Sequence, residues 1–137
     1  MINDILRAAV IAGEAHIGQR RKYTNEPYIN HPMRVALTIS NIFPEDHEAI
    51  CAAILHDVVE DTEVTEQMLR SAFSGRIVDI VMMVTKRSSK DKDGDRAARK
   101  AIDLKHYACG SPVAQSLKVA DMMDNAKDVA DRNSAFA

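Results

Sequence analysis

One run near the middle of the chain restricts the possible folds more than any other part of the sequence. Residues 49–55, Ala-Ile-Cys-Ala-Ala-Ile-Leu, are apolar and lead directly into His56-Asp57 and then Glu60-Asp61. If the run is one helix, residues three and four positions apart share a face, so these four ionisable side chains lie within two turns. A helix that begins in the core and ends in ionisable groups carries them toward a pocket.

The alternative for the Glu60-Asp61 pair is a solvated acidic helix end, which is the usual position of such residues. The apolar residues that precede the pair favour burial instead. Buried carboxylates require a compensating partner, and a divalent cation is one that also accepts a histidine nitrogen. His56 and Asp57 are therefore predicted to bind a metal ion, with further ligands from elsewhere in the chain.

Two other stretches offer such ligands. His31 precedes Pro32, which suits the first turn of a helix, and Asp121 lies in the apolar stripe of the last predicted helix. A lone histidine is more often a hydrogen-bonded structural residue, and a lone aspartate is more often a surface acid. The unpaired His-Asp doublet favours His31 as a ligand and makes Asp121 a candidate fourth. Asn125 lies one turn beyond Asp121 on the same face.

Two segments are rich in cations. Residues 20–22, Arg-Arg-Lys, follow a predicted first helix and a glycine, and they suit either ordinary solvation or phosphate binding. Residues 86–95 contain no apolar side chain, which predicts a flexible loop. The charges of this loop are either solvated or part of a flap over an anionic substrate. Arg99 and Lys100, on the following predicted helix, add to the second basic region.

The rest of the sequence favours packed helices. Apolar residues recur at three- and four-residue spacing in residues 3–18 and again from Val35 to Ile42. The 137 residues are 46% hydrophobic but only 4% aromatic. This mixture favours an all-α bundle of about six or seven helices over a sandwich or barrel. Residues 1–130 are predicted to form one domain and residues 131–137 a flexible C-terminal tail.

Charge and composition argue against several classes of protein. The net charge of −2 is far from the strongly basic balance of general nucleic-acid-binding domains, so no nucleic-acid partner is expected. No apolar stretch approaches the roughly 18 residues needed to cross a bilayer, and no signal peptide is recognisable, so no membrane partner is expected either. Cys51 and Cys109 are far apart and form no CxxC motif, which predicts a reduced, cytoplasmic protein. Oligomeric state is not predictable from these features.

Five blocks of sequence carry a family resemblance, in this order: His16-x-Gly18-Gln19-x-Arg21-Lys22, Tyr28-Ile29-x-His31-Pro32, His56-Asp57-x-x-Glu60-Asp61-Thr62, Val84-Thr85-Lys86 and Lys118-x-Ala120-Asp121-x-x-x-Asn125. Together they resemble the HD-domain metal-dependent phosphohydrolases, and within these the hydrolase domain of the RelA/SpoT alarmone enzymes and the small stand-alone alarmone hydrolases. The resemblance covers about residues 5–129. It implies an all-α HD-domain bundle that removes the 3′-pyrophosphate from ppGpp or pppGpp, giving GDP or GTP.

The resemblance also implies roles for individual residues. One manganese ion per chain is expected on four ligands: His31, His56, Asp57 and Asp121. The catalytic acid pair of the family matches Glu60 and Asp61. Its substrate-contacting positions match four residues: Arg21, Lys22, Lys100 and Asn125. Two imidazoles and two carboxylates leave positions open on a metal that prefers six ligands, so water and a phosphate oxygen can bind, and the acid pair can manage the proton of the water.

Two departures from the family pattern leave the substrate open. Met122-Met123-Asp124 replaces the basic and leucine-containing residues common after the metal aspartate. Relatives also continue beyond the equivalent of Ala137 with helices that help to wall the nucleotide pocket. The alternatives are therefore an HD phosphohydrolase for another nucleotide, such as a deoxynucleotide or an NADPH-type phosphate, and a non-catalytic alarmone-binding module. The complete set of ligands and acids favours an enzyme over a binding module.

Overall fold

The structure is a computed structural model that describes residues 2–136, with side chains described for residues 2–130. In that part of the chain the elements are α1 (Ile2–Ala15), α2 (Asn30–Ile42), α3 (His47–Leu55), α4 (Val58–Asp61), α5 (Glu66–Ala72), α6 (Gly75–Val84), α7 (Arg96–Ala108) and α8 (Pro112–Phe136). Seven are helices of at least seven residues and α4 is a single turn. The described residues contain no β-strand, only an isolated antiparallel bridge between Arg20 and Pro27. The prediction of an all-α bundle is confirmed.

The apolar run 49–55 forms most of the central helix, α3. All seven residues of the run are buried. Because a helix that is apolar on every side must be covered on every side, α3 contacts four other helices: α1, α2, α6 and α8. The small side chains of Ala49, Ala52 and Ala53, none of which is accessible to solvent, allow these neighbours to approach closely.

The helix does not continue through the ionisable residues, so the expectation of one unbroken helix is wrong. α3 ends at Leu55, His56 and Asp57 form a turn, and α4 begins at Val58. The His56 side chain donates a hydrogen bond to the carbonyl oxygen of Ala53, and its backbone N–H also bonds to that oxygen, which tightens the last turn. The four ionisable side chains are therefore placed by a turn and a short helix.

Capping residues explain several helix boundaries. Thr65 and Ser111 cap the starts of α5 and α8, because each side chain accepts a backbone N–H three residues further on, at 3.2 Å in both cases. Gly75 is the first residue of α6, because the Ser74 hydroxyl accepts the N–H of Ile77 at 3.4 Å and caps that helix.

Three further expectations concern the whole chain. Among the described residues, no helix combines the length and apolarity needed to cross a membrane. Cys51 and Cys109 are both free, the first buried and the second exposed. The domain boundary at residue 130 and the flexible tail, 131–137, stay predictions: α8 extends to Phe136, but the side chains of 131–136 and all of residue 137 lie outside the described residues.

Candidate metal centre

Four polar side chains from three parts of the fold meet in the interior. They come from the first turn of α2, the turn after α3 and the middle of α8, and they are the predicted ligands: His31, His56, Asp57 and Asp121. One possible ligand atom from each residue lies within 4.8 Å of the others. Each residue is less than a tenth exposed. The structure therefore brings together the complete ligand set proposed from the sequence.

The two imidazole rings are oriented in the same sense. His31 Nδ1 lies 2.7 Å from a carboxylate oxygen of Asp124, and His56 Nδ1 lies 2.6 Å from the carbonyl oxygen of Ala53. Because both partners can only accept hydrogen bonds, each Nδ1 carries a proton and donates it. In the neutral rings the lone pair is then on Nε2, which is the arrangement found in metal-ligating histidines.

Each Nε2 atom faces two carboxylate oxygens. His31 Nε2 lies 2.9 Å from Asp121 Oδ1 and 3.4 Å from Asp57 Oδ2. His56 Nε2 lies 3.3 Å and 3.1 Å from the same two oxygens. Lone pairs on neutral imidazoles and on carboxylates repel at these distances, so positive charge is required among them, supplied by ring protons or by a cation. The donor set, two nitrogens and two anionic oxygens, suits a divalent metal ion.

Protons and a cation compete for the ring nitrogens. Burial lowers the pKa of His31, but hydrogen bonds with Asp121, Asp57 and Asp124 outweigh burial and raise the pKa to about 9. Burial also opposes the charged form of His56, yet the neighbouring Asp57 and Asp121 hold its pKa well above the ordinary value. Despite their own burial, the carboxyls of Asp57 and Asp121 have lowered pKa values because the imidazoles face them. Both carboxylates are thus ionised and available to a cation.

Two side chains absent from the predicted site hold the carboxylates of the candidate ligands Asp57 and Asp121 in place. The Tyr28 hydroxyl donates to Asp57 Oδ2 at 2.7 Å, and Lys118 Nζ donates to Asp121 Oδ2 at 3.1 Å. Each bond fixes the orientation of a carboxylate that would otherwise rotate. Both residues lie in the blocks that carry the family resemblance, so that resemblance is the sequence signal that could have identified them.

Asp124 is a third supporting residue that sequence reasoning missed. Its carboxylate accepts hydrogen bonds from His31 Nδ1 at 2.7 Å and from Arg34 Nε at 2.8 Å. Burial raises the pKa of Asp124, but Arg34 and His31 outweigh burial and lower it. Asp124, which was expected to depart from the family pattern, therefore orients a candidate ligand. No local signal identifies this contact, because the partners are more than 90 residues apart.

The predicted acid pair lies beside the ligand cluster, on α4. Carboxylate oxygens of Asp57, Glu60 and Asp61 all lie within 4.8 Å of one another. Burial raises the pKa of Glu60 even though the backbone N–H of Lys86 donates to its Oε1 atom at 2.7 Å. Asp61 is more open to solvent, yet desolvation by surrounding atoms and the charge of Asp57 raise its pKa as well. A raised carboxyl pKa suits a group that accepts and returns a proton.

The predicted substrate contacts divide between two cavities. Arg21, Lys22 and Asn125 line a cavity of about 380 Å³, which is called the Arg21 cavity below and which also includes Asp61 of the acid pair. Lys100 does not line it. This residue belongs to a different cavity, formed with the loop that precedes α7. The structure therefore brings three of the four predicted contacts into one cavity with Asp61 and places the fourth in a separate cavity.

Arg21 is more constrained than its sequence context indicates. It is only 8% exposed, and its guanidinium donates to Asp128 Oδ2 at 2.6 Å and to Asn125 Oδ1 at 2.9 Å. The amide of Asn125 in turn lies 3.3 Å from Asp121 Oδ1, a candidate metal ligand. Lys22 is exposed at the edge of the same cavity. Arg21 and Asn125 thus form a hydrogen-bonded chain that ends at the ligand cluster.

Known proteins resemble this chain in sequence over most of its length. The chain matches the HD domain family over residues 8–135. It is 40% identical over 124 residues to the guanosine-3′,5′-bis(diphosphate) 3′-pyrophosphohydrolase of Aquifex aeolicus, covering 90% of this chain and 17% of that protein. It is 38% identical over 127 residues to the guanosine-3′,5′-bis(diphosphate) 3′-pyrophosphohydrolase MESH1 of Danio rerio, covering 91% of this chain and 68% of that protein.

A solved structure shows a similar fold. It is described as a metazoan ortholog of SpoT that hydrolyses ppGpp, and it matches with a TM-score of 0.80 and 28% sequence identity, covering 97% of this chain and 79% of the other. The chain spans 17%, 16% and 11% of the lengths of the Aquifex aeolicus, Mycoplasma pneumoniae and Haemophilus influenzae relatives. From the match over residues 8–135 and the similarity to MESH1, the chain belongs to the HD domain family.

Proposed function

We propose that this protein is a manganese-dependent phosphohydrolase that removes the 3′-pyrophosphate from ppGpp or pppGpp, giving GDP or GTP and pyrophosphate. The observation that carries the proposal is the buried cluster of two imidazoles and two carboxylates, which adjoins a pair of further acids and a cation-lined cavity. The substrate follows from the relatives, which are named for this activity.

One Mn²⁺ per chain is proposed to bind His31, His56, Asp57 and Asp121. This mixture of nitrogen and oxygen donors suits first-row divalent metals such as manganese. When bound, the ion lowers the pKa of a water molecule and offsets the negative charge of the phosphate. Asp124 and Ala53 keep the two Nε2 atoms directed at the centre, and Tyr28 and Lys118 hold the carboxylates.

Glu60 and Asp61 are proposed to orient the attacking water and to accept its proton. The Lys86 backbone N–H fixes Glu60 Oε1, which leaves Oε2 to receive the proton. The raised pKa of each carboxyl allows the proton to be held and then passed to the leaving group. Asp61 also lies 3.4 Å from the Tyr28 hydroxyl, so the acid pair and the ligand Asp57 share one hydrogen-bonding residue.

The substrate is proposed to enter the Arg21 cavity. Arg21 is held by Asp128 and Asn125, so it offers a fixed guanidinium, whereas the exposed Lys22 offers a mobile cation. Arginine forks bind phosphate oxygens in pairs, and the fixed position favours one orientation of the nucleotide.

A cytoplasmic location is part of the same proposal. Its support is that Cys51 and Cys109 are both free thiols, as in a reducing compartment.

A product-resolved turnover assay tests the proposal. Purified protein is incubated with ppGpp and Mn²⁺, with and without excess chelator, and nucleotides are separated by ion exchange. The expected result is equal release of GDP and pyrophosphate, abolished by chelator and restored by added Mn²⁺. Matched reactions contain a deoxynucleotide and NADPH. If orthophosphate is released from either of these while ppGpp stays intact, the protein is a phosphohydrolase of that nucleotide instead. If ppGpp binds tightly but no product forms, the protein is a binding module.

A further inference from the structure

One buried nitrogen atom near the acid pair has no hydrogen-bond partner in the protein. His16 directly follows α1 and is only 3% exposed. Its Nδ1 atom lies 2.8 Å from the side-chain oxygen of Gln19, which accepts, so Nδ1 carries the proton and the neutral ring has its lone pair on Nε2. Among the side chains that the structure describes, His16 Nε2 is the one buried nitrogen or oxygen atom without a partner. Such an atom is costly to bury, so we expect a hydrogen-bond donor to bind it.

The Asp61 carboxylate also lacks a strong orienting bond. Glu60, the other member of the acid pair, accepts the backbone N–H of Lys86 at 2.7 Å. Over the described residues, the carboxylate of Asp61 has a single hydrogen-bonding neighbour, the Tyr28 hydroxyl at 3.4 Å. The proton of that hydroxyl is directed to Asp57, at the shorter distance of 2.7 Å. Asp61 therefore requires a further donor if its carboxylate is to keep one orientation.

Tyr28 contacts both of these groups. Its ring packs against the His16 imidazole, with the ring centres 4.8 Å apart, and its hydroxyl lies beside Asp61. Burial raises the pKa of Asp61, whereas His16 lowers it, so the imidazole and the carboxylate are close enough to interact. Gln19 and Tyr28, which contact the imidazole, both line the Arg21 cavity, as Asp61 does. Polar space is therefore available next to both groups.

We propose that a water molecule joins His16 Nε2 to the Asp61 carboxylate, which makes His16 a positioning residue of the acid pair. This role rests on the proposed function, in which Asp61 accepts and returns a proton. The imidazole nitrogen and the carboxylate are both acceptors, so they cannot bond to each other, and the molecule between them must supply two donor hydrogens. Water has two, and buried waters commonly bridge polar groups in this way.

The bridging water differs in its role from the water that attacks the phosphate. It stays bound and holds one oxygen of Asp61, which leaves the other oxygen to receive the proton. The Lys86 N–H does the same for Glu60, where it holds Oε1. Because His16 touches none of the candidate metal ligands, its loss should change the rate of the chemical step and leave metal binding intact.

Two substitutions of His16 separate the roles of its ring nitrogens. His16→Asn places an amide near the position of Nδ1 and keeps the bond to Gln19, whereas His16→Gln places an amide near the position of Nε2 and keeps the bond to water. Both remove the ring packed against Tyr28, so each is the control for the other. Folding is verified by circular dichroism, and manganese content and turnover of ppGpp are measured on the same preparations.

The expected result is a split between the two variants in kcat. His16→Gln should keep kcat within about threefold of wild type, and His16→Asn should lose about 10- to 100-fold, the usual effect of removing a supporting hydrogen bond at such a site. KM and bound manganese should change little in either variant. Equal kcat values, or a higher value in His16→Asn, would overturn the proposal, because the ring would then serve only to hold Gln19.

A high-resolution crystal structure of the wild type tests the water without relying on activity. A water within hydrogen-bond distance of both His16 Nε2 and an Asp61 oxygen is expected, and it should be lost in His16→Asn. An Nε2 atom without this water, or one bonded to a protein group instead, would overturn the bridge. If wild type leaves ppGpp intact but the water is present, the proposed function fails and the bridge remains. If wild type is active but the two variants have equal kcat, the function remains and the role of His16 fails.

Discussion

α3 and α7 represent two different ways of building a functional surface. Seven of the residues of α3 are buried and none of the thirteen residues of α7 is. The first helix leads into the cluster of candidate metal ligands in the interior, whereas the second presents cations to the cavity that it forms with the loop of residues 86–95, called the α7 cavity. The side chains around α3 are therefore held in position by packing, whereas those of α7 are exposed and distinguished by their charge.

The difference determines how each region should respond to change. In the candidate metal centre each ligand is oriented by another residue, such as Asp124 for His31 and Tyr28 for Asp57. Removing one member leaves other buried charges uncompensated, which is costly. In the α7 cavity most of the cations are exposed to solvent, so replacing one of them removes a single solvated charge. Replacing one residue of the candidate metal centre should therefore disturb the whole cluster. Replacing one cation of the α7 cavity should have only a small effect.

The largest expected effect separates catalysis from metal binding within the first region. Glu60→Gln combined with Asp61→Asn should retain bound manganese but lower kcat on ppGpp by about 10³-fold, because the amides cannot accept the proton of the attacking water. Metal content and turnover are measured on the same preparation. Glu63→Gln, an exposed position two residues beyond the pair, is the control and should keep full activity. A double variant with wild-type turnover would remove the pair from the mechanism.

A smaller effect contrasts the two helices directly through stability. Ile54→Ala, at a residue of α3 that is 1% exposed, should lower the free energy of unfolding by about 3 kcal/mol, because it leaves a cavity in the core. Leu104→Ala, at a residue of α7 that is 51% exposed, should change it by less than about 0.5 kcal/mol. Urea unfolding of the two variants in chelator measures both values. Similar losses would show that α7 is packed as closely as α3.

The smallest effect is the pH dependence of metal binding. The carboxylates around His31 raise its pKa from the ordinary value of 6.5 to about 9, so between these values the folded, metal-free protein holds a proton that the metal must displace. Manganese affinity should therefore rise roughly tenfold per pH unit from pH 7 to 9 for each proton displaced, and level off above that. Without metal, the same proton stabilises the fold fully below pH 6.5, and this stabilisation is lost as the pH rises through 9.

Competition with a fluorescent chelator at several pH values measures the affinity, and urea unfolding in chelator measures the stability. Manganese affinity that is constant from pH 7 to 9 would show that no ring proton is displaced. Stability that increases over the same range in chelator would contradict the raised pKa of His31.

The sequence predicts the two regions unequally. Helical periodicity and the apolar run 49–55 are local signals, so they predict the all-α fold and the central position of α3. The turn at His56 is not predictable from that pattern, because it depends on a side-chain bond to Ala53 and on the burial of Val58 after the turn. Periodicity alone continues the helix through both residues.

For the site, the sequence predicts residues that the structure brings together but not their supporting contacts. His31, Asp57 and Asp121 are proposed from residue type and family resemblance, and the structure brings their ligand atoms together with that of His56. The bonds from Arg21 to Asp128 and from His31 to Asp124 join residues about a hundred positions apart, and spacing along one helix contains no information about them. Such contacts depend on how α8 packs against the rest of the molecule.

The central claim is that the cluster of His31, His56, Asp57 and Asp121 holds one divalent metal ion, and the count of bound manganese tests it most directly. Protein is saturated with Mn²⁺, freed of excess metal and assayed by mass spectrometry for metal per chain, with circular dichroism to verify folding. Wild type and the exposed-site control Asp79→Ala should each bind one manganese, and Asp57→Ala should bind almost none. One tightly bound manganese per chain in folded Asp57→Ala would contradict the account, because the metal would then lie elsewhere.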